Sequence, residues 1–89
     1  SQVDKKIIEE KMQCSIEYTE ENGVKEWRFN GRLHRDDGPA RIFDNGSQEW
    51  WHNGKLHREG GPAVEFPDGA TKWYRHGIQI DAPKIVVKT

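Results

Sequence analysis

Trp27, Trp50 and Trp73 stand 23 residues apart, and the same interval separates Gly23, Gly46 and Gly69, and again Gly31, Gly54 and Gly77. A fixed period of this length dictates an architecture of stacked, similar units, each too small to bury its apolar face alone. Set one above the other without a gap, Trp27-Arg-Phe-Asn-Gly-Arg-Leu-His-Arg-Asp-Asp-Gly-Pro-Ala40 and Trp50-Trp-His-Asn-Gly-Lys-Leu-His-Arg-Glu-Gly-Gly-Pro-Ala63 agree at nine of fourteen positions. A third copy opens at Trp73-Tyr-Arg-His-Gly77 and then departs, with Gln79, Ile80 and Asp81 where the others carry Leu-His-Arg. A worn terminal unit is the pattern of an end cap.

The punctuation between repeats is glycine. Asn22-Gly23, Asn30-Gly31, Asn45-Gly46, Asn53-Gly54, Asp68-Gly69 and His76-Gly77 interrupt short runs rich in aromatic and β-branched residues. Asn-Gly and Asp-Gly predict two-residue hairpin turns, in which both central residues take positive φ. Strands are expected near 15–20, 24–29, 39–43, 47–52, 62–66, 70–75 and 84–88, with Pro39 and Pro62 at strand starts. Ahead of them Val3, Ile7, Ile8 and Met12 gather on one side of a helix, with Lys5/Glu9 and Lys6/Glu10 four apart, which predicts a short amphipathic helix capping the sheet. The chain therefore reads as a helix or cap over 1–14, three repeats over 15–81 with the last degenerate, and a final strand within 82–89. The fold class is mainly β, consecutive antiparallel hairpins in an elongated, twisted sheet.

Side chains alternate across a strand, so Trp27, Trp50 and Trp73 fall on one face and are expected to be the core, with Phe43/Phe66 and Leu33/Leu56 as further columns. Arg28, Trp51 and Tyr74 fall on the other face and change chemistry from copy to copy. They are the expected contact surface, extended by Lys25, His52, Arg75 and His76, since aromatics and arginine dominate binding hot spots. With 33% hydrophobic and 33% charged residues, the core must be thin.

This pattern resembles the MORN repeat. The likeness is closest to a variant with Trp/Tyr-x-x-Asn-Gly-Lys-Leu-His-Arg-x-x-Gly-Pro-Ala, found in bacterial, phage and giant-virus proteins, and it covers roughly residues 16 to 81. The chain departs from the ordinary repeat at His34-Arg35 and His57-Arg58, where ordinary copies more often have glycine after the His position. The resemblance implies consecutive hairpins used for protein–protein contact, scaffolding or self-association. For a small phage protein it further implies inhibition of a host complex, in the manner of anti-defence and anti-CRISPR proteins, in the host cytoplasm.

Charge excludes some partners. Fourteen basic against fifteen acidic residues leave a formal charge of −1, which provides no positive field for nucleic acid or an anionic membrane. The chain is also not acidic enough for a DNA mimic. The one cysteine, Cys14, excludes an internal disulfide and a cysteine-based zinc site, in keeping with a reducing cytoplasm, and reads as a small buried hydrophobe. No apolar stretch is long enough to cross a bilayer.

His34-Arg35-Asp36-Asp37 and His57-Arg58-Glu59 hold the most chemical-looking residues, and three readings stay open. In the first they hold one hairpin on the next, Arg pairing with carboxylate and His donating to a backbone carbonyl. In the second, Arg35 and Arg58 form a basic ladder that grasps a carboxylate or phosphate. In the third they are catalytic or metal-binding, although His52 and His76 lie in different columns from His34 and His57 and no metal-ligand spacing occurs. An active site occurs once, whereas structure repeats with the fold, so the first is favoured. The sequence thus predicts a non-enzymatic protein-binding module without cofactor or metal. Single-stranded nucleic acid, stacked on aromatics, is the alternative ligand, and the exposed edges of an open sheet allow a homodimer.

Overall fold

The computed structural model of the protein describes residues 16–83. The expected helix over 3–12, Cys14 and the expected strand over 84–88 lie outside the described residues. Within them the fold is mainly β, and all ten strands pair antiparallel: β1 (Ile16–Glu21), β2 (Val24–Phe29), β3 (Arg32–Leu33), β4 (Arg41–Ile42), β5 (Gln48–Glu49), β6 (Trp51–His52), β7 (Lys55–Leu56), β8 (Val64–Glu65), β9 (Thr71–Arg75) and β10 (Ile78–Ile80). One sheet runs β1-β2-β4-β5-β8-β9-β10, with β3 also on β2, and β6 pairs β7 apart from it.

The repeated tryptophan sits where each strand forks. The N–H of Trp27 bonds the Ala40 carbonyl on the sheet side, while its own carbonyl accepts the N–H of His34 on the hairpin side. Trp50 repeats this with Ala63 and His57. The first half of each unit therefore continues the sheet into the next repeat, and the second half folds back as a hairpin. That fork divides the expected strand 47–52 into β5 and β6. It also creates β3, β7 and β10, which sequence reading did not place because they are only two or three residues long. The strands expected over 39–43 and 62–66 shrink to two residues each, since Pro39 and Pro62 precede them in loops.

The glycine turns fall into two classes. Asn22-Gly23, Asn30-Gly31, Asn53-Gly54 and His76-Gly77 have positive φ at both residues, the type I′ geometry that suits a twisted two-residue hairpin. At Asn45-Gly46 and Asp68-Gly69 only the glycine has positive φ. There the loop has three residues, closed by Phe43 N–H to Ser47 C=O and Phe66 N–H to Ala70 C=O. The Asn45 and Asp68 side chains accept the N–H two residues on, of Ser47 and Ala70. A single expectation of two-residue turns is thereby corrected.

The core is smaller than the tryptophan column suggests. Buried apolar residues are Leu33, Ala40, Ala63 and Val64, and the two alanines are fully inaccessible. Trp27, Trp50 and Trp73 are only half-buried, as is Phe43, and Phe66 is exposed. Alanine is what the centre of a three-strand crossing admits: Ala40 bonds Trp27 on one side and Glu49 on the other, and Ala63 bonds Trp50 and Lys72.

Candidate functional site: a histidine row above a groove

Each half-buried indole carries a guanidinium. Arg35 lies over Trp27 and Arg58 over Trp50, both with the guanidinium carbon 3.9 Å from the ring centroid. The other side of each guanidinium rests on a glycine. A Cβ on Gly38 would lie 3.2 Å from Arg35 Cζ, and one on Gly61 2.9 Å from Arg58 Cζ. The arginines then donate to the carbonyls of Pro39 and Pro62 (3.1 Å each), Arg35 to Asp37 (3.0 Å) and Arg58 to Glu65 (3.1 Å). The repeated Arg-x-x-Gly-Pro is thus a sandwich of indole, guanidinium and glycine, and both arginines are spent on the fold.

The histidines are spent in the same way, though not as expected. His34 Nδ1 accepts the backbone N–H of Asn53 (3.0 Å), and His57 Nδ1 accepts that of His76 (2.9 Å). Since an N–H points at Nδ1, the ring proton of the neutral form sits on Nε2, where it meets Asp36 (3.0 Å) in one repeat and Glu59 (3.0 Å) in the other. Each ring thereby ties its own loop to the turn of the following repeat. His52 and His76, expected in separate columns, lie against these rings: His57 and His76 stack with centroids 4.2 Å apart, His34 and His52 meet tilted at 4.4 Å, and His52 and His57 lie 6.1 Å apart. All four histidines form one row. The offsets that build it, 18 and 19 residues, differ from the period of 23, so no spacing rule points to it.

His34, Asp36 and His52 bring one ligand atom each within 4.8 Å of one another. A metal on His34 Nε2 would force the ring proton onto Nδ1, against the Asn53 N–H. Metal-bound histidines instead donate their second N–H to an acceptor, so this arrangement is built for hydrogen bonding rather than ligation. By the same reasoning His57 has neither nitrogen open to take a proton from a substrate.

Beside the row runs an open groove of about 760 Å³ between the loops that begin at His34 and His57. Of the eight predicted site residues, Arg35, Trp51, His52, Arg58 and His76 line it, together with Trp50. Asp36, Asp37 and Glu59 rim it, with side chains 78%, 85% and 72% exposed. The place of the two aspartates on the rim comes from the fold. Arg75 reaches the rim through Glu59 (3.3 Å). Arg28 and Tyr74 do not line the groove. A second groove of about 600 Å³ repeats the arrangement one unit earlier, with Trp27 and Arg35, and Ile16 and Tyr18 of β1 as its far wall. The Tyr18 phenol is held above its ordinary value, first by lost hydration, then by Glu20, which accepts its hydrogen bond (2.9 Å) and repels the phenolate.

On the expected free face, Arg28 and Trp51 are instead cross-linked. Arg28 pairs with Glu26 (3.1 Å), Glu26 with Arg41 (2.7 Å), and Arg41 with Glu49 (3.5 Å), which accepts the Trp51 indole N–H (3.0 Å). Arg28, Trp51 and Tyr74 are half-buried, no more open than the tryptophans of the other face. The differing chemistry of Arg28 and Trp51 goes with differing partners inside the chain, Glu26 for the one and Glu49 for the other. Lys25 remains exposed on β2.

Comparison of the chain with protein-family models, curated proteins and solved structures finds no match. Among the described residues no helix is long and apolar enough to cross a membrane.

Proposed function

We propose that the chain is a MORN-like repeat module of stacked hairpins that binds a protein partner along the groove beside its histidine row and performs no chemistry. The supporting observation is the division of labour around that groove. The imidazoles of His34 and His57 and the guanidiniums of Arg35 and Arg58, groups with catalytic or anion-binding capacity, are engaged by the chain itself at matching distances in two successive repeats. What stays open is an aromatic wall and a rim of exposed carboxylates. Such a rim repels a phosphate backbone, so it favours protein over single-stranded nucleic acid. Action in the cytoplasm, and inhibition of a host complex, are carried by the sequence resemblance alone.

The test is capture from a bacterial lysate by the wild type and by Asp37→Lys and His52→Ala variants, with thermal unfolding run on each. A partner held by the wild type and released by both variants, each of which still unfolds cooperatively well above the capture temperature, supports the groove. Capture indifferent to both substitutions refutes it, and capture that collapses steeply with salt and nuclease returns the reading to nucleic acid.

A further inference from the structure

Among the described residues, the third repeat leaves unfilled a place that the first two fill. In each complete unit the residue seven after the tryptophan pairs with it across the hairpin, and the residue after that sends its side chain back over the indole. The pairs are Trp27 with His34 and Trp50 with His57, and Arg35 and Arg58 supply the covering guanidiniums. In the third unit Ile80 pairs with Trp73, so the register is kept. The next residue is Asp81, which is exposed. Aspartate is too short to cover an indole and has the opposite charge. Among the described residues no cation lies over Trp73, which is half-buried.

We propose that the face of Trp73, with Asp81 beside it, is a binding site for an arginine side chain presented by a protein partner. The chain itself shows what this place accepts: a flat guanidinium 3.9 Å from the ring, twice. Planarity and weak hydration suit arginine to stacking on an indole better than lysine. In the first two units the covering arginine finds its carboxylate elsewhere in the unit, Asp37 or Glu65. An incoming arginine finds Asp81 at the slot, and Asp81 repels the acidic alternatives. A second copy entering by its β1 end is disfavoured on the same ground, because that strand carries Glu17, Glu20 and Glu21. This site is separate from the groove and does not depend on it.

The test uses the full chain labelled with ¹⁵N, the indole signals assigned by single Trp→Phe variants, and capped arginine as the probe, with capped lysine and capped citrulline as controls. Capped arginine should move the Trp73 indole signal with saturation at millimolar concentration, leaving Trp27 and Trp50 in place. Lysine should move it several-fold less, and citrulline, isosteric but neutral, least. Asp81→Asn should weaken the arginine response severalfold, and Asp81→Arg, which restores the repeat, should abolish it. Equal shifts at all three indoles, or equal responses to arginine and citrulline, would overturn the proposal. So would silence at Trp73 in the wild type, including silence relieved by Lys84→Ala or Lys88→Ala, which would assign the slot to the chain's own C-terminal segment.

Discussion

His57 accepts the backbone N–H of His76 through Nδ1 at 2.9 Å, and the rings of the same two residues stack with centroids 4.2 Å apart. One imidazole thus both satisfies a donor in the next repeat's turn and packs against the residue that carries it. His34 likewise accepts the Asn53 N–H, and the neighbouring ring, tilted against it, comes from His52. The His of the repeat is a joint between units.

Removing that joint should cost stability. His34→Ala leaves the Asn53 N–H without its acceptor beside a ring site that is 7% exposed, and an orphaned donor costs about 1–3 kcal/mol. Urea unfolding followed by tryptophan fluorescence should show a lower midpoint with little change in slope.

The indole–guanidinium–glycine sandwich predicts a coupling. Gly61→Ala places a methyl 2.9 Å from Arg58 Cζ, so Arg58 must leave Trp50, a loss on the order of 1 kcal/mol for the cation–π contact. In an Arg58→Ala background the same substitution should cost much less. A double-mutant cycle measures the difference, and additive effects would contradict the sandwich.

The two classes of turn should answer oppositely to glycine. Asn53 has φ +50°, so Asn53→Gly should be nearly neutral, whereas Asn53→Val should cost about 1–2 kcal/mol or more. Asn45 lacks positive φ and works through its side chain, which accepts the Ser47 N–H at 2.8 Å. Asn45→Gly should therefore cost about 1 kcal/mol while Asn45→Asp holds its stability. Thermal melts of the four variants give both orders.

Trp51→Phe should destabilise the chain, because it removes the indole N–H that Glu49 accepts at 3.0 Å while keeping an aromatic ring. The expected loss is about 1 kcal/mol, at the low end for a bond to a charged group since the pair is half-exposed. Glu49→Gln should be less sensitive to the same substitution. A Trp51→Phe chain as stable as the wild type would show the network to be idle.

Tyr18 should titrate above its ordinary value of 10.0, and Glu20→Gln should bring it down, as read by phenolate absorbance. A group whose value is raised in the folded state gives its stability below the unfolded value and loses it as pH rises through the folded one. Any Tyr18 contribution is therefore lost only in strong alkali.

The period, the hairpins and the antiparallel order were legible because glycine and tryptophan mark them directly in the chain. Face alternation also placed Trp27 and Arg28 on opposite sides. What alternation does not reveal is burial: it made Trp50 core and Trp51 surface, yet both are half-buried, because Arg58 covers one and Arg41 and Glu49 engage the other. Five of the eight site residues meet at one groove, but for a reason outside strand periodicity. The hairpin of one repeat overlaps the loop of the one before it, bringing His52 beside His34 and His76 beside His57. The glycines at 38 and 61 carry no strand or hairpin signal of their own; their small size is required by an arginine three residues earlier.

The direction of the histidine joints bears on how the chain is made. His34 waits for Asn53 and His57 for His76, each a partner that leaves the ribosome 19 residues later. A unit therefore cannot lock when its own last residue appears. It locks only when the turn of its successor emerges, so ordering should trail synthesis by most of a repeat. In the third unit the position of the waiting histidine is held by Ile80, which has no ring nitrogen to accept such a bond.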